Sequence, residues 1–361
     1  MLMQQRGVNL PQRLSHQEIL MQQPSLTRRH WLRTVAGASA GAAALAAVPE
    51  VRLFAQQLQD FIEGPPVPDV KPERLSPHVW MIYARDGFPT PENRGVMANV
   101  VFVVTSAGVV VLDSGCSLQH GQMAIRMIRT VTDKPVVAIF NSHYHGDHWL
   151  GNHAFVEAFG AQLPIYALPH TIEQIRGAEG NLWRSLMERW TNQATMGTKV
   201  VPPNQATEHG RTYRFGDVTL RMHHYGRAHT PSDLCIEVVE DRFTYVGDIA
   251  MENRIANIDD GSYPGTFKYY EALQRSAGEQ LWWPGHGRGS KTLLNDYGTF
   301  LRGIWEPCVQ AVKDGVPLER AKELVLKDPR VQTRAKNMAG FESNIGKYTS
   351  LAYLEAEKEL F

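Results

Sequence analysis

The chain has 361 residues, 43% of them hydrophobic and 20% charged, with 37 Lys and Arg against 37 Asp and Glu. This length carries one large domain or two modest ones, and the composition excludes a disordered chain, a collagen-like fibre and a disulfide-stapled miniprotein. A formal charge of zero also offers no broad basic face for a nucleic-acid backbone.

The neutrality is unevenly shared. Residues 1–46 hold Arg6, Arg13, Arg28, Arg29 and Arg33 against Glu18, a net of +4 that leaves −4 for the remainder. Arg28-Arg29 precedes a weakly apolar run of 14 residues, Val35 to Val48. That run has the length of a signal-peptide apolar region and is too short to span a bilayer. The twin arginines resemble a bacterial twin-arginine export signal, and Ala44-Leu45-Ala46 supplies a small-x-small cleavage site. Residues 1–46 are therefore expected to be an export signal, which places the protein in the periplasm and allows membrane contact only through an uncleaved signal. Residues 47–74 read as a linker, stiffened by Pro65, Pro66, Pro68 and Pro72.

Short β-branched runs predict strands over 79–83, 99–105 and 109–112, with Ser106-Ala107-Gly108 as the turn between the last two. Met123, Ile125, Met127, Ile128 and Val131 form one face of a helix over 119–131, which Asp133-Lys134-Pro135 ends before a buried strand over 136–140. Helices over 152–159 and 172–191 flank a strand over 165–168. The second half adds strands over 218–223, 233–239, 243–246 and 280–283 and a helix over 266–277. From 291 to 361 the pattern is helical, with breaks expected at Pro307, Pro317 and Pro329. The class is α/β, with a catalytic body over 75–290 and a C-terminal helical extension over 291–361 packed on it. Cys116, Cys235 and Cys308 are too few and odd in number for a disulfide framework, and Cys235 reads as a buried free thiol.

The buried strand over 136–140 runs into Asn141-Ser142-His143-Tyr144-His145-Gly146-Asp147-His148, three imidazoles and a carboxylate within six residues. Imidazole nitrogen and carboxylate oxygen suit zinc and related first-row ions. The spacing differs from a helical His-x-x-x-His pair and predicts an extended loop, with Gly146 permitting a sharp bend. Four such residues point to two metal positions. Loop-like settings at His229, Asp248 and His286 offer further ligands.

His143-x-His145-x-Asp147-His148, followed by His229, Asp248 and His286, resembles the motif set of the metallo-β-lactamase superfamily over roughly residues 75–290. The resemblance implies an αββα sandwich with C-terminal helices and a site at one edge of its two sheets. It implies two divalent metal ions, with zinc expected and iron or manganese as alternatives. His143, His145 and His229 would hold the first; Asp147, His148 and His286 the second; Asp248 would bridge. Asp147 is also a candidate for orienting the attacking water, and Asp113 for orienting a ligand imidazole. The activity implied is hydrolysis of an ester, thioester, lactone or related bond in a small-molecule substrate by a metal-generated hydroxide; Gly-x-Ser-x-Gly is absent from residues 47–361, its one match, Gly37 to Gly41, lying in the expected export signal.

The resemblance also implies, since β-lactamases of the family generally lack a bridging aspartate at the position of Asp248, that β-lactam hydrolysis is at most a minor activity. The leader, Glu92-Asn93-Arg94-Gly95 and the sequence around His229 are similar to exported quinoprotein relay system and sulfur-oxidation-associated zinc metallohydrolases. Periplasmic redox-system partners are accordingly expected. An iron-dependent oxygen- or persulfide-using oxidoreductase and a non-catalytic metal-binding partner protein stay open as alternatives. Tyr144, Trp149, His223, His224 and Tyr225 lie near the motifs, where packing is the expected role. Trp183 and Trp190, seven residues apart, are expected to pack on one helix face.

Overall fold

The computed structural model describes residues 62–360 apart from 86, 256 and 257, so the expected export signal and the start of the linker lie outside the described residues. Two sheets form the centre. The first has strands in the order β1 to β7: β1 Glu73–Arg74, β2 Val79–Ile82, β3 Val100–Thr105, β4 Gly108–Leu112, β5 Val136–Phe140, β6 Ile165–Ala167 and β7 Gln205–Ala206. Strands β1 to β4 form an antiparallel meander, and β4 to β7 pair in parallel. The second comprises β8 Thr212–Phe215, β9 Val218–His223, β10 Cys235–Val238, β11 Phe243–Gly247 and β12 Leu281–Pro284, in the order β12-β11-β10-β9-β8. Its pairings are antiparallel except for the parallel pair β11/β12.

Ten helices are described: α1 Leu118–Arg129, α2 Gly146–Trp149, α3 Asn152–Phe159, α4 Pro169–Arg176, α5 Ala178–Trp190, α6 Tyr263–Ala277, α7 Leu293–Lys313, α8 Leu318–Lys327, α9 Pro329–Ala335 and α10 Phe341–Leu360. None is long and apolar enough to cross a membrane.

The strands read as unbroken apolar runs because both faces of each sheet are covered. Side chains alternate by face, so Val101, Val103, Val110 and Leu112 meet Leu220, Met222, Ile236 and Val238 between the sheets. Val100, Phe102, Val109 and Val111 instead pack on Met123 and Ile128 of α1 and Phe155 of α3. The outer face of the second sheet is covered by Tyr269 and Leu273 of α6, Phe300 and Ile304 of α7, and Tyr348 of α10. The result is an αββα sandwich whose C-terminal helices belong to one of the outer layers. Helix α1 begins at Ser117, whose side chain accepts the His120 N–H, a cap worth about 1 kcal/mol.

The helix expected over 172–191 is two helices, because Gly177 adopts φ −84°, ψ −138° and interrupts it. Pro307 does not break α7. A proline inside a helix costs about 3 kcal/mol, but Leu301, Ile304, Cys308, Ala311 and Val312 are buried across the same stretch and hold it helical. Pro317 and Pro329 behave as expected: Pro317 stands before α8 and Pro329 opens α9. The short strands β1, β7 and β8 escape the apolar pattern because their residues are exposed or half-buried.

Candidate metal centre

The ends of four strands meet at one edge of the sandwich. Asp113 follows β4, His143 to His148 follow β5, Asp248 follows β11, and His286 follows β12; His229 comes from the β9–β10 connection. Parallel pairing of β4 with β5 and of β11 with β12 brings their C-terminal ends to the same side. The 143–148 segment is not wholly extended: His145 precedes the single-turn helix α2, which carries Asp147 and His148. Gly146 is needed there because a β-carbon would stand 2.6 Å from the β-carbon of Trp183.

All seven expected ligand side chains are gathered, and each is buried. His143, His145 and His229 present nitrogens within 4.8 Å of one another; so do the donors of the sets His143/His148/Asp248 and Asp147/His148/His286. His145 Nδ1 lies 3.0 Å from His229 Nε2. Asp248 Oδ2 stands among the imidazoles, 3.2 Å from His286 Nε2, 3.3 Å from His148 Nε2, 3.7 Å from His229 Nε2 and 4.0 Å from His143 Nε2. Asp147 Oδ2 lies 3.1 Å from His286 Nε2 and 3.4 Å from His148 Nε2.

Buried His143 Nε2, His148 Nε2 and Asp248 Oδ1 make no hydrogen bond. Orphaned buried donors and acceptors are costly in a core. Nitrogen and carboxylate ligands converging with open valences are what a divalent cation satisfies, so the residues fit one. The buried groups shift one another in opposite directions. Burial, with His148 and His145 adding, holds the His143 imidazole well below its ordinary value. Burial and His145 bring His229 down to about 3. Burial pushes the Asp147 and Asp248 carboxyls up, but His148 and His286 outweigh it and leave both below the carboxylate range. Burial lowers His148, yet Asp248, Asp147 and Asp113 raise it on balance.

A second tier of hydrogen bonds aims the ligands. Asp113 is wholly buried and sits at φ 57°, the left-handed region, which Asp tolerates better than most residues. Its carboxylate accepts from Ser142 N–H and Oγ–H, both at 2.7 Å, from Tyr245 Oη–H at 2.7 Å and from His148 Nδ1 at 2.8 Å. That last bond turns His148 Nε2 toward the centre. Since Ser142 gives its proton to Asp113, its oxygen accepts from His143 Nδ1 at 2.9 Å. His286 Nδ1 lies 2.6 Å from the Met97 carbonyl. Ser142, Tyr245 and Met97 carry no sequence signal for these roles; only the fold supplies them.

The chain belongs to the metallo-β-lactamase superfamily. The model of that superfamily matches residues 93–306, more than half of the chain. A metallo-β-lactamase from Pontibacter korlensis is similar at 18% identity and TM-score 0.51, covering 65% of this chain and 99% of that one. The DIM-1 metallo-β-lactamase aligns at 13% identity and TM-score 0.51, over 66% and 99%. The sec-alkylsulfatase Pisa1 from Pseudomonas sp. gives TM-score 0.63 at 15% identity, over 79% of this chain and 50% of that chain. These likenesses are of fold. As a superfamily member the chain is a hydrolase whose His and Asp clusters are able to bind metal.

The remaining candidates separate. Trp149 is wholly buried and bonds the Tyr144 carbonyl. His223 pairs with Glu237 at 2.8 Å and His224 with the Asp233 carbonyl, while Tyr225 packs against Tyr269 of α6. Tyr144 Oη–H donates to Asp260 Oδ2 at 3.0 Å, and that oxygen lies 3.8 Å from His145 Nε2. His145 first, then Tyr144, hold the Asp260 carboxyl down at about 2 against burial. Trp183 lies 5.0 Å from the His145 ring, with Trp190 edge-on to it at 6.2 Å.

Proposed function

We propose that the protein is an exported, dinuclear metal hydrolase, zinc-loaded, that cleaves an ester, thioester, lactone or related bond in a small molecule. The observation that carries this reading is Asp248 Oδ2 lying within 4.0 Å of four imidazole nitrogens that belong to two different donor sets. His143, His145 and His229 would hold one ion, Asp147, His148 and His286 the other, with Asp248 between them. Divalent cations bound there supply Lewis acidity and lower the pKa of water from 15.7 to about 7. The chain's own residues do the rest. Asp113, Ser142 and the Met97 carbonyl fix the imidazoles so that lone pairs face inward. Asp147 and Asp248, both held ionised, are hydrogen-bond acceptors that would orient a water. Every donor is itself buried.

Export through the twin-arginine route to the periplasm rests on Arg28-Arg29 and the apolar run after them. The same reading includes redox-system partners there and kinship with the exported quinoprotein relay hydrolases. The test is elemental analysis of protein purified from the periplasmic fraction, run beside a panel of thioesters, lactones, β-lactams, sulfate esters and phosphodiesters. Two zinc per chain with ester, thioester or lactone turnover that His145→Ala abolishes is expected. Iron with oxygen consumption, or full activity in metal-depleted His145→Ala, would overturn it.

A further inference from the structure

The C-terminal helix α10 reaches the metal centre. Tyr348, near the middle of α10, is 2% exposed, and its hydroxyl has no hydrogen-bond partner. It lines a cavity of about 10 Å³ whose wall also includes His229 and Asp248, two of the candidate ligands, with Ile249, Ile258 and Leu301. Tyr297 shares that wall, and the Thr266 hydroxyl there is committed to the Ser262 carbonyl at 2.7 Å. A buried hydroxyl left without a partner costs stability, and such a cost is commonly retained where function requires the group.

We propose that Tyr348 is a catalytic residue, its hydroxyl donating a hydrogen bond to the carbonyl oxygen of an ester, thioester or lactone seated beside Asp248 and His229. This rests on the hydrolase reading and narrows its substrate class. A space of this size admits one oxygen-sized group, which suits a carbonyl better than a sulfuryl or phosphoryl group. Burial holds the Tyr348 phenol well above its ordinary value, so it remains a donor at neutral pH. In the reaction a water oxygen forms a bond to the acyl carbon and the carbonyl π pair moves onto oxygen, where the Tyr348 O–H stabilises it. Collapse restores the carbonyl, breaks the bond to the alkoxide or thiolate, and passes the water proton to that leaving group.

The test compares full-length wild type with Tyr348→Phe for metal content, steady-state turnover of p-nitrophenyl acetate and a neutral lactone, acetate affinity by calorimetry, and melting of the metal-stripped protein. Expected are unchanged metal content, kcat/KM lower by about 10²-fold, the usual loss when one such donor is removed, and acetate binding weakened about tenfold. Because the deleted hydroxyl has no protein partner, the variant melts at or above the wild-type temperature. Rates and acetate affinity within twofold of wild type overturn the assignment, as does a lowered melting temperature with activity lost only in proportion to unfolding. If wild type turns over nothing on the panel, the hydrolase reading fails separately, and the acetate comparison still decides whether Tyr348 faces the ligand.

Discussion

Asp113→Asn isolates the aiming of one ligand from its presence. Asparagine keeps the size of the side chain and tolerates the left-handed backbone at φ 57°. Its amide has one acceptor oxygen where the carboxylate has two. If that oxygen stays on the Ser142 N–H, the NH2 group faces Ser142 Oγ, Tyr245 Oη and His148 Nδ1, all of which donate to Asp113 at 2.7 to 2.8 Å. The two hydroxyls can rotate, but the imidazole cannot. His148 then accepts at Nδ1 and carries its proton on Nε2, the nitrogen 3.3 Å from Asp248 and 3.4 Å from Asp147. That proton blocks the position a cation would take. Loss of such an outer partner typically weakens metal binding 10- to 100-fold, about 1.4 to 2.8 kcal/mol. A stability cost of about 1–3 kcal/mol accompanies it from mismatched buried donors. Competition against a chelator reads the zinc dissociation constants, with the loss expected in the ion held by Asp147, His148 and His286. Uptake of two equivalents with wild-type affinity would refute the reasoning.

Two further outcomes follow from the packing. Asp328 caps α9 through the Arg330 N–H at 2.9 Å and pairs with the Arg330 guanidinium at 2.8 Å; Asp328→Ala should cost about 1–2 kcal/mol at pH 7, most of it from the cap, since a half-exposed ion pair adds less than 1. Arg330 holds the Asp328 carboxyl below its ordinary value, so this contribution is full above about pH 4 and fades as pH falls through the folded value, which urea titrations across that range measure. Cys116, Cys235 and Cys308 are buried free thiols that burial pushes up, Cys308 to about 12; a thiol reagent should label none in the native protein and all three after unfolding, and rapid native labelling would contradict the packing.

Much of this molecule is written locally. Runs such as Val100–Thr105 and Gly108–Leu112 announce strands buried on both faces, and the apolar face of α1 announces a helix, because side-chain periodicity depends only on neighbours a few residues away. The chemistry of the candidate ligands is legible for the same reason: three histidines and an aspartate within six residues have few other uses. Local pattern misleads where tertiary packing outweighs propensity, as at Pro307, which α7 carries through a buried stretch, and at β8, where only Tyr213 and Phe215 pack on the core. The centre itself is a tertiary product. Asp113 and Tyr245 are 132 residues apart yet bond at 2.7 Å, and Tyr348 comes from a helix that the sequence could only place as an extension. Residue type and spacing determine which atoms are able to bind a cation. Which of them meet, and which hydroxyl stands beside them, is decided by strand order and layer packing, since contacts between distant segments leave no periodic trace in the chain.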